Sequence, residues 1–291
     1  MKILIVGGTG MLGHRLWMDL GHNHQVWGTV RGQVEDFPSL PNIPRDQVCA
    51  GVDALDFQSV RRVVESIQPE VIINCVGLIK QRENAKDPLL AIDLNARFPH
   101  LLAVAAHDVG SRFIHISTDC VFSGQKGMYT ESDQADAGDI YGRTKTLGEV
   151  GYLEHGLTIR TSLIGREIST RYSLLEWFLF QNQKVKGFRK AVFSGFPTGE
   201  VSRLLQDIIL PRHDLHGLYH VSAEPINKYD LLVLFKQAYN KSIEIEEDSQ
   251  VIIDRSLDST RFRAETGFVP TPWPDMIERM AADSIPYENW K

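Results

Sequence analysis

The spacing of three glycines near the start of the chain constrains its fold more than any other feature. Gly7, Gly10 and Gly13 follow an apolar segment at residues 2–6 and stand at the start of a helical pattern over residues 11–21. The first permits a sharp turn, the second lets a pyrophosphate approach the backbone, and the third lets a helix pack closely on a strand. The start of such a helix also presents free N–H groups to phosphates. The residues expected to bind a dinucleotide here are Gly7, Thr9, Gly10, Met11, Leu12 and Gly13.

Apolar segments alternate with helical patterns through the first half of the chain. The predicted strands are residues 2–6, 25–30, 48–51, 71–74, 112–117 and 157–161. The predicted helices are residues 11–21, 57–67, 88–107 and 141–155. Buried strands separated by helices predict an α/β fold with a doubly wound parallel sheet, which is Rossmann-like and binds ligands at the carboxyl ends of its strands.

The pattern loosens after residue 165. We expect helices at residues 173–183, 200–210, 228–239 and 275–282, and strands at 191–194 and 218–222, with Asn227 as the N-cap of the third helix. Residues 1–165 are expected to form a dinucleotide-binding domain, to which 200–222 return. Residues 166–199 and 223–291 are expected to form a smaller C-terminal α/β substrate domain.

Composition narrows the classes of partner. The formal net charge is −6, which disfavours nucleic acid because phosphate binding requires an excess of Lys and Arg on one face. The longest apolar runs fall short of the roughly 18 residues of a membrane span, so no membrane is expected as a partner. Cys49, Cys75 and Cys120 form no C-x-x-C and no metal-ligand spacing. They predict reduced thiols in a cytoplasmic protein without a metal site.

Tyr141 and Lys145 stand four residues apart, a spacing that places both on one face of a helix. A phenol has an ordinary pKa of about 10, and a nearby ammonium stabilises the phenolate and eases proton exchange. The same lysine can donate to the ribose hydroxyls of a nicotinamide cofactor. Thr118 follows a predicted strand, where its hydroxyl can bond a substrate oxygen. These three residues are the predicted catalytic set, and the phenol and the ammonium also belong to the predicted cofactor site.

The end of the second predicted strand bears on the choice of cofactor. Dinucleotide folds place a carboxylate here for a free ribose 2′-hydroxyl and a basic group for a 2′-phosphate. Arg31 therefore favours NADP. NAD stays open, because Arg31 could be a solvated surface residue and Glu35 or Asp36 could serve the ribose. Asp53, soon after the third strand, is a candidate partner of the adenine amino group.

With these motifs in order, the chain resembles the extended short-chain dehydrogenases/reductases, and more narrowly it is similar to the dTDP-4-dehydrorhamnose reductase family. The matching segments are residues 7–13, 74–77, 93–95, 116–124, 141–145 and 160–162. The resemblance implies NAD(P)H-dependent reduction of the C4 ketone of a 4-keto-6-deoxy sugar linked to a nucleoside diphosphate, in cell-surface polysaccharide synthesis. A homodimer is compatible with it.

The resemblance also implies roles for single residues. Tyr141 would be the acid, Lys145 would tune it, and Thr118 would hold the carbonyl. Asn95 would help to order Lys145 through backbone and water contacts. The further cofactor-binding residues implied are Cys75, Val76, Gly77 and Asn95.

Cys120 departs from the family pattern, which usually has Tyr at this place. The related dehydratases carry an Asp-Glu pair after the threonine, and the Asp119-Cys120 pair of this chain lacks the second carboxylate. In the GDP-fucose synthases a cysteine two residues after the catalytic hydroxyl serves epimerisation. Cys120 is therefore either a small apolar filler or a proton-transfer group.

Three alternative functions remain open. They are a reductase of a UDP-linked 2-acetamido-4-keto sugar, a nucleotide-sugar epimerase or epimerase-reductase, and a non-catalytic regulatory subunit like the one associated with methionine adenosyltransferase. The intact set of Thr118, Tyr141 and Lys145 argues against the last. Residues 80–82 could line the cleft or lie in a solvated loop.

Overall fold

The structure, a computed structural model, describes residues 1–79 and 87–290. Its centre is a seven-stranded sheet in the order β11-β6-β5-β4-β1-β2-β3, in which neighbouring strands run parallel. The strands are β1 (Lys2–Val6), β2 (Gln25–Thr29), β3 (Val48–Cys49), β4 (Val71–Asn74), β5 (Arg112–Thr118), β6 (Gly156–Thr161) and β11 (Gly217–His220). This confirms the predicted doubly wound α/β fold.

Successive side chains of β1 point to opposite faces of the sheet, and both faces are covered by apolar residues. Ile3 and Ile5 pack with the cluster around helix α1 (Met11–Leu20), while Leu4 and Val6 pack with the cluster that includes α2 (Phe57–Ile67). All four side chains are at most 1% exposed. A strand buried on both faces is a continuous apolar run, which is why the sequence located these strands well.

The segment before β5 is one long helical stretch, Pro88–Asp108, built from α3 (Pro88–Ala91), a π-helical turn (Ile92–Arg97) and α4 (Phe98–Asp108). By length and by a mean hydropathy of 1.3 it could cross a membrane. Half of its most apolar window is buried inside the protein, where Phe98 and Leu102 pack against the sheet. This is also the pattern of a core helix in a soluble protein.

The helix after β5 is shorter than predicted. We expected residues 141–155, but α5 spans Ile140–Leu147. Gly148 follows as the C-cap, and a Cβ there would overlap the carbonyl oxygen of Asn95 in the π-helical turn. The helix therefore ends where its backbone meets the neighbouring helical stretch, a tertiary contact that local sequence does not encode.

The second half contains more strands than predicted. Its helices are α6 (Leu174–Phe180), α7 (Thr198–Leu204, continued by a π-helical turn at Leu205–Ile209), α8 (Lys228–Ala238), α9 (Thr260–Thr266) and α10 (Trp273–Ala281). Its short strands are β7 (Leu163–Ile164), β8 (Val185–Phe188), β9 (Ala191–Phe193), β10 (Phe196–Pro197), β12 (Ile226–Asn227), β13 (Ile245–Asp248) and β14 (Ile253–Asp254).

These strands pair in small sheets, β10-β7, β12-β9-β14 and β13-β8. Most of these strands were not predicted, because strands of two to four residues carry too little periodicity. Helix α9, which has seven residues, was not predicted either. Asn227 caps α8 as predicted, since its side chain accepts from the Asp230 N–H. The strand predicted at 218–222 returns to the central sheet, where β11 pairs with β6. The division into two domains stays a prediction.

Candidate active site

The glycine-rich turn has the shape that a pyrophosphate requires. Gly7 has φ +96°, a left-handed conformation that favours glycine. A Cβ on Gly13 would overlap the Gly7 carbonyl oxygen, so only glycine lets α1 approach β1 this closely. Gly10 is the N-cap of α1 and supplies no side-chain hydrogen bond, so the first N–H groups of the helix have no side-chain cap. The residues of the turn fit a dinucleotide.

The remaining residues of the turn differ in exposure. Thr9 and Gly10 are exposed and Met11 is half-buried, so each can reach a ligand. Leu12 is only 5% exposed and packs in the core. Its part in ligand binding is therefore confined to its backbone, and its side chain anchors the helix.

Arg31 lies just beyond β2 and is exposed. Its guanidinium forms no hydrogen bond or ion pair with any other residue that the structure describes. Asp36 accepts from the Gln33 N–H (3.2 Å), which holds it within its own loop. Asp53 is half-buried, and its Oδ1 accepts from the Leu55 N–H (3.0 Å). The roles predicted for Arg31 and Asp53 in cofactor binding stay predictions.

The segment after β4 lies against the turn. A Cβ on Gly7 would come within 3.1 Å of the Val76 nitrogen, and the Cys75 N–H donates to the Val6 carbonyl (2.9 Å). Gly77 is exposed and faces Lys145, whose Nζ would lie 3.9 Å from a Cβ at that position. Residues 75–77 therefore lie between the glycine turn and Lys145.

Asn95 joins this segment to α5. Its Oδ1 accepts from the Leu78 N–H (2.8 Å), and its Nδ2 donates to Thr144 Oγ1 (3.4 Å). Asn95 is 1% exposed. The side chain therefore fixes the neighbours of Lys145, and no direct hydrogen bond to the ammonium occurs among the described residues.

Thr118, Tyr141 and Lys145 meet where β5 ends and α5 begins. Asp139 caps α5 by accepting from the Gly142 N–H (2.8 Å), which fixes the helix start next to Tyr141. The Thr118 hydroxyl lies close enough to the Tyr141 phenol to lower the pKa of the phenol. Lys145 is 5% exposed, and its Nζ donates to the Ile116 carbonyl (2.9 Å). The structure therefore brings the three predicted residues together.

The electrostatics of the group follow from burial. Desolvation lowers the pKa of Lys145 to about 8, and the negative charge of Glu149 acts in the opposite direction. Burial raises the pKa of the Tyr141 phenol, as does neighbouring Cys120, while the Thr118 hydroxyl lowers it. Burial raises the pKa of Cys75 to about 12, so this thiol stays protonated.

A buried polar network beneath the site was missed by the sequence analysis. Glu149 accepts from the Ser117 hydroxyl (2.7 Å) and forms two hydrogen bonds with Arg160 (2.8 and 2.7 Å). Arg160 also contacts His220 Nε2 (3.2 Å) and lies over the Phe122 ring. The spacing of Glu149, four residues after Lys145, was a signal that could have indicated it. Arg160 lies in the segment 160–162 that resembles the family, but nothing in the sequence indicated that it pairs with Glu149 or contacts His220 on β11.

Asp119 and Cys120 flank the catalytic group. Burial raises the pKa of Asp119, whose Oδ1 accepts from the Thr118 hydroxyl (3.2 Å), and the charge of Arg255 opposes that shift. The Cys120 N–H donates to Thr118 Oγ1 (3.1 Å). Cys120 is half-buried beside Tyr141. Residues 80–82, predicted as a possible cleft lining, lie outside the described residues.

The described part of the chain contains no group of three His, Cys, Asp or Glu side chains arranged to hold a metal ion. The chemistry that the site offers is instead that of a phenol, a hydroxyl and an ammonium next to a phosphate-binding turn. Such a set can position a carbonyl and exchange a proton with its oxygen.

Comparison with known proteins agrees with this geometry. Methionine adenosyltransferase 2 subunit beta of Danio rerio is 27% identical over 82% of this chain and 74% of its own length. The dTDP-4-keto-6-deoxy-D-glucose reductase of Streptomyces niveus is 30% identical over 78% and 75%. The crystal structure of dTDP-4-dehydrorhamnose reductase from Bacillus anthracis, in complex with NADP, has a TM-score of 0.79 at 23% identity and covers 96% of this chain and 98% of its own. The family model described as RmlD substrate binding domain matches residues 1–285, and the chain therefore belongs to that family.

Proposed function

We propose that this chain is an NADPH-preferring reductase, with NADH as a possible second cofactor, acting on the C4 ketone of a 4-keto-6-deoxy sugar linked to a nucleoside diphosphate. The observation that carries the proposal is the meeting of Thr118, Tyr141 and Lys145 beside the glycine turn. A protein that only binds a partner has no need of a buried lysine next to a half-buried phenol, because burying a charge costs free energy.

The glycine turn would hold the pyrophosphate, and residues 75–77 with Lys145 would flank the nicotinamide ribose. The Bacillus anthracis neighbour, which shares the fold, was solved with NADP. Arg31 supports the same cofactor, because an exposed guanidinium with no partner among the described residues is available to a 2′-phosphate. When bound, the reduced nicotinamide supplies the hydride that adds to the ketone carbon.

The residues of the chain supply the rest of the reaction. Thr118 donates a hydrogen bond that orients the ketone oxygen, and the Tyr141 phenol gives its proton to that oxygen as it becomes an alcohol. A raised phenol pKa keeps the proton available at neutral pH. The positive charge of Lys145 stabilises the phenolate left behind until a proton from solvent restores it.

The substrate class is proposed from the relatives. The Streptomyces niveus protein is named as a reductase of dTDP-4-keto-6-deoxy-D-glucose, and the Bacillus anthracis protein as a dTDP-4-dehydrorhamnose reductase. Each name describes a substrate that is a nucleotide-linked sugar with a ketone at C4 and no oxygen at C6. A role in cell-surface polysaccharide synthesis, in the cytoplasm, follows from the same substrate class.

A second candidate is a regulatory subunit, because relatives named methionine adenosyltransferase 2 subunit beta align over 82% of the chain. The catalytic groups distinguish the two functions. A regulatory subunit could bind a dinucleotide without turning over a sugar, whereas a reductase consumes one NADPH for each ketone.

The test is a substrate panel. Purified protein with NADPH would be offered dTDP-, UDP- and GDP-linked 4-keto-6-deoxy sugars and a UDP-linked 2-acetamido-4-keto sugar. We expect stoichiometric loss of NADPH with a dTDP-linked sugar. Turnover only with the 2-acetamido sugar would correct the substrate class. Tight NADPH binding without turnover of any sugar would favour the regulatory subunit.

The same reaction run in heavy water decides the role of Cys120. Simple reduction places no solvent deuterium on carbon, whereas an epimerase-reductase labels C3 or C5. We expect no label there, because C4 reduction needs only a hydride and the Tyr141 proton and moves no proton at C3 or C5. A label that Cys120→Ala abolishes would make the protein an epimerase-reductase.

A further inference from the structure

His14 connects the glycine turn to the far end of the chain. It lies on α1, is fully buried, and its Nδ1 is 2.7 Å from the Gly10 carbonyl oxygen. Its Nε2 is 3.1 Å from the hydroxyl of Tyr287, in a short 3-10 helix at Tyr287–Trp290. The contact with Tyr287 spans 273 positions of sequence and the contact with Gly10 spans four, and both meet on one imidazole.

The chemistry of the neighbours fixes the direction of both hydrogen bonds. A carbonyl oxygen can only accept, so Nδ1 carries the hydrogen and donates to Gly10. Burial lowers the pKa of His14 to about 4, so the ring is neutral and Nε2 has a lone pair. Tyr287 therefore donates to Nε2, which gives a directed chain from Tyr287 through His14 to Gly10.

The Gly10 carbonyl belongs to the same planar peptide as the Met11 N–H, so fixing one fixes the other. That carbonyl accepts twice, from the His14 backbone N–H (3.1 Å) and from the His14 ring. The Met11 N–H is one of the uncapped donors at the start of α1. The orientation of this donor is thus set by His14.

Tyr287 is itself held in place. It is 3% exposed, its ring lies under the Arg166 guanidinium at 4.9 Å, and its neighbour Glu288 pairs with Arg166. Asp283 pairs with Arg15 on α1. The C-terminal segment is therefore held by Arg15 on α1 and by Arg166, and these contacts fix the Tyr287 hydroxyl that donates to His14.

We propose that His14 and Tyr287 are positioning residues for the dinucleotide pyrophosphate, because they hold the Gly10–Met11 peptide in the orientation that presents the Met11 N–H to it. The proposal rests on the dinucleotide binding in the proposed function. It assigns to the C-terminal segment a part in cofactor affinity, at a distance from the reacting ketone.

The test measures the Kd of NADPH by calorimetric titration of the full-length protein. It compares the wild type with His14→Leu, Tyr287→Phe and the double variant. We expect His14→Leu to raise the Kd about three- to tenfold, the effect of losing one hydrogen bond. Tyr287→Phe should also raise it, and the double variant should be no weaker than His14→Leu, because Tyr287 acts through His14. The kcat at saturating NADPH should stay within about twofold.

Tyr239→Phe is the matched control. Its hydroxyl donates to the Met280 carbonyl (3.3 Å) in the same region and forms no hydrogen bond with α1 or with His14, so its removal should leave the Kd unchanged. If His14→Leu fails to fold, His14→Asn replaces it. The asparagine amide can still donate to Gly10 but does not reach Tyr287, so its Kd should match that of Tyr287→Phe and should not rise further when Tyr287→Phe is added.

Each outcome decides between the proposals. Wild-type protein that binds neither NADPH nor NADH would overturn both this inference and the proposed function. Wild-type binding with unchanged Kd in His14→Leu and Tyr287→Phe would overturn this inference alone. Losses that simply add in the double variant would also overturn it, since they would show that the two residues act independently.

Discussion

Lys145 is the residue at which burial and function conflict most directly. Desolvation lowers its pKa to about 8, although its predicted role requires the charged ammonium. Glu149 acts against the loss of charge, and it is held in place by Ser117 and Arg160. The buried polar network around Glu149 therefore helps to keep Lys145 protonated.

A pH profile tests this relation. Since the ammonium stabilises the phenolate, kcat/KM should fall as pH rises above about 8, where Lys145 loses its proton. Glu149→Gln removes the charge that raises this pKa, so the falling limb should move to lower pH. An unchanged limb in a variant that folds normally would show that Glu149 has no influence on the lysine.

The same shift has a consequence for stability. An unfolded lysine has a pKa near 10.5, so between about pH 8 and that value the unfolded chain binds the proton that the folded protein has lost. At this residue, stability therefore rises with pH in that window.

Arg31 is the residue that we expect to set the cofactor preference. A guanidinium can form charge-assisted hydrogen bonds with a 2′-phosphate, each worth about 1.5–3 kcal/mol. Arg31→Ala should therefore weaken NADPH by at least about tenfold and leave NADH nearly unchanged, as measured by titration. Arg62→Ala, an exposed arginine on α2, is the control. Equal affinity for both cofactors before and after the substitution would make Arg31 a surface residue without a role.

At the scale of elements, the contact of β1 with α1 depends on Gly13. The Cβ of an alanine there would overlap the Gly7 carbonyl oxygen, which is backbone and cannot rotate away. Gly13→Ala should lower the free energy of unfolding by about 1–3 kcal/mol and strongly weaken NADPH binding. Gly138→Ala is the control, since a Cβ there meets nothing within 4 Å. Denaturant unfolding and titration check both effects. A Gly13→Ala protein that binds like the wild type would refute the close-packing argument.

The central strands and the helices between them could be predicted because each is long, buried and regular. The end of α5 could not be predicted from the sequence, because it depends on the contact of Gly148 with the Asn95 carbonyl, 53 positions away in the chain. The two-residue strands β7, β10, β12 and β14 exist only through their pairing and have no periodicity of their own. The local sequence pattern therefore predicted the strands and helices that carry the candidate site, and it did not predict the short strands of the second half.

At the scale of the whole molecule, the chain after residue 250 returns to the loop that follows β5. Ser256 Oγ accepts from the Met128 N–H (2.8 Å) and donates to Asp254 (2.6 Å), and Tyr129 pairs with Leu257. The spacing of Tyr141 and Lys145 indicated the candidate catalytic groups, because both residues lie on one short helix. The contacts that support them join distant segments and were invisible before the structure.

Ser256→Ala should therefore destabilise the protein. Ser256 is fully buried, so its removal leaves the Met128 N–H without its partner, which costs about 1–3 kcal/mol. Ser132→Ala removes an exposed hydroxyl from the same loop and should be nearly neutral. Urea unfolding measures both. Equal stability of the two variants would mean that the C-terminal segment does not support the loop.

The central claim is that the chain reduces a nucleotide-linked 4-keto sugar with Tyr141 as the proton donor. The most direct test is NADPH consumption with dTDP-4-keto-6-deoxyglucose and dTDP-4-dehydrorhamnose, for the wild type and for Tyr141→Phe, with the Kd of NADPH measured for both. We expect turnover by the wild type, and a variant that binds NADPH normally while kcat falls on the order of 10²–10⁴-fold. Near-normal turnover by Tyr141→Phe, or a wild type that binds NADPH and reduces no 4-keto sugar, would contradict the claim.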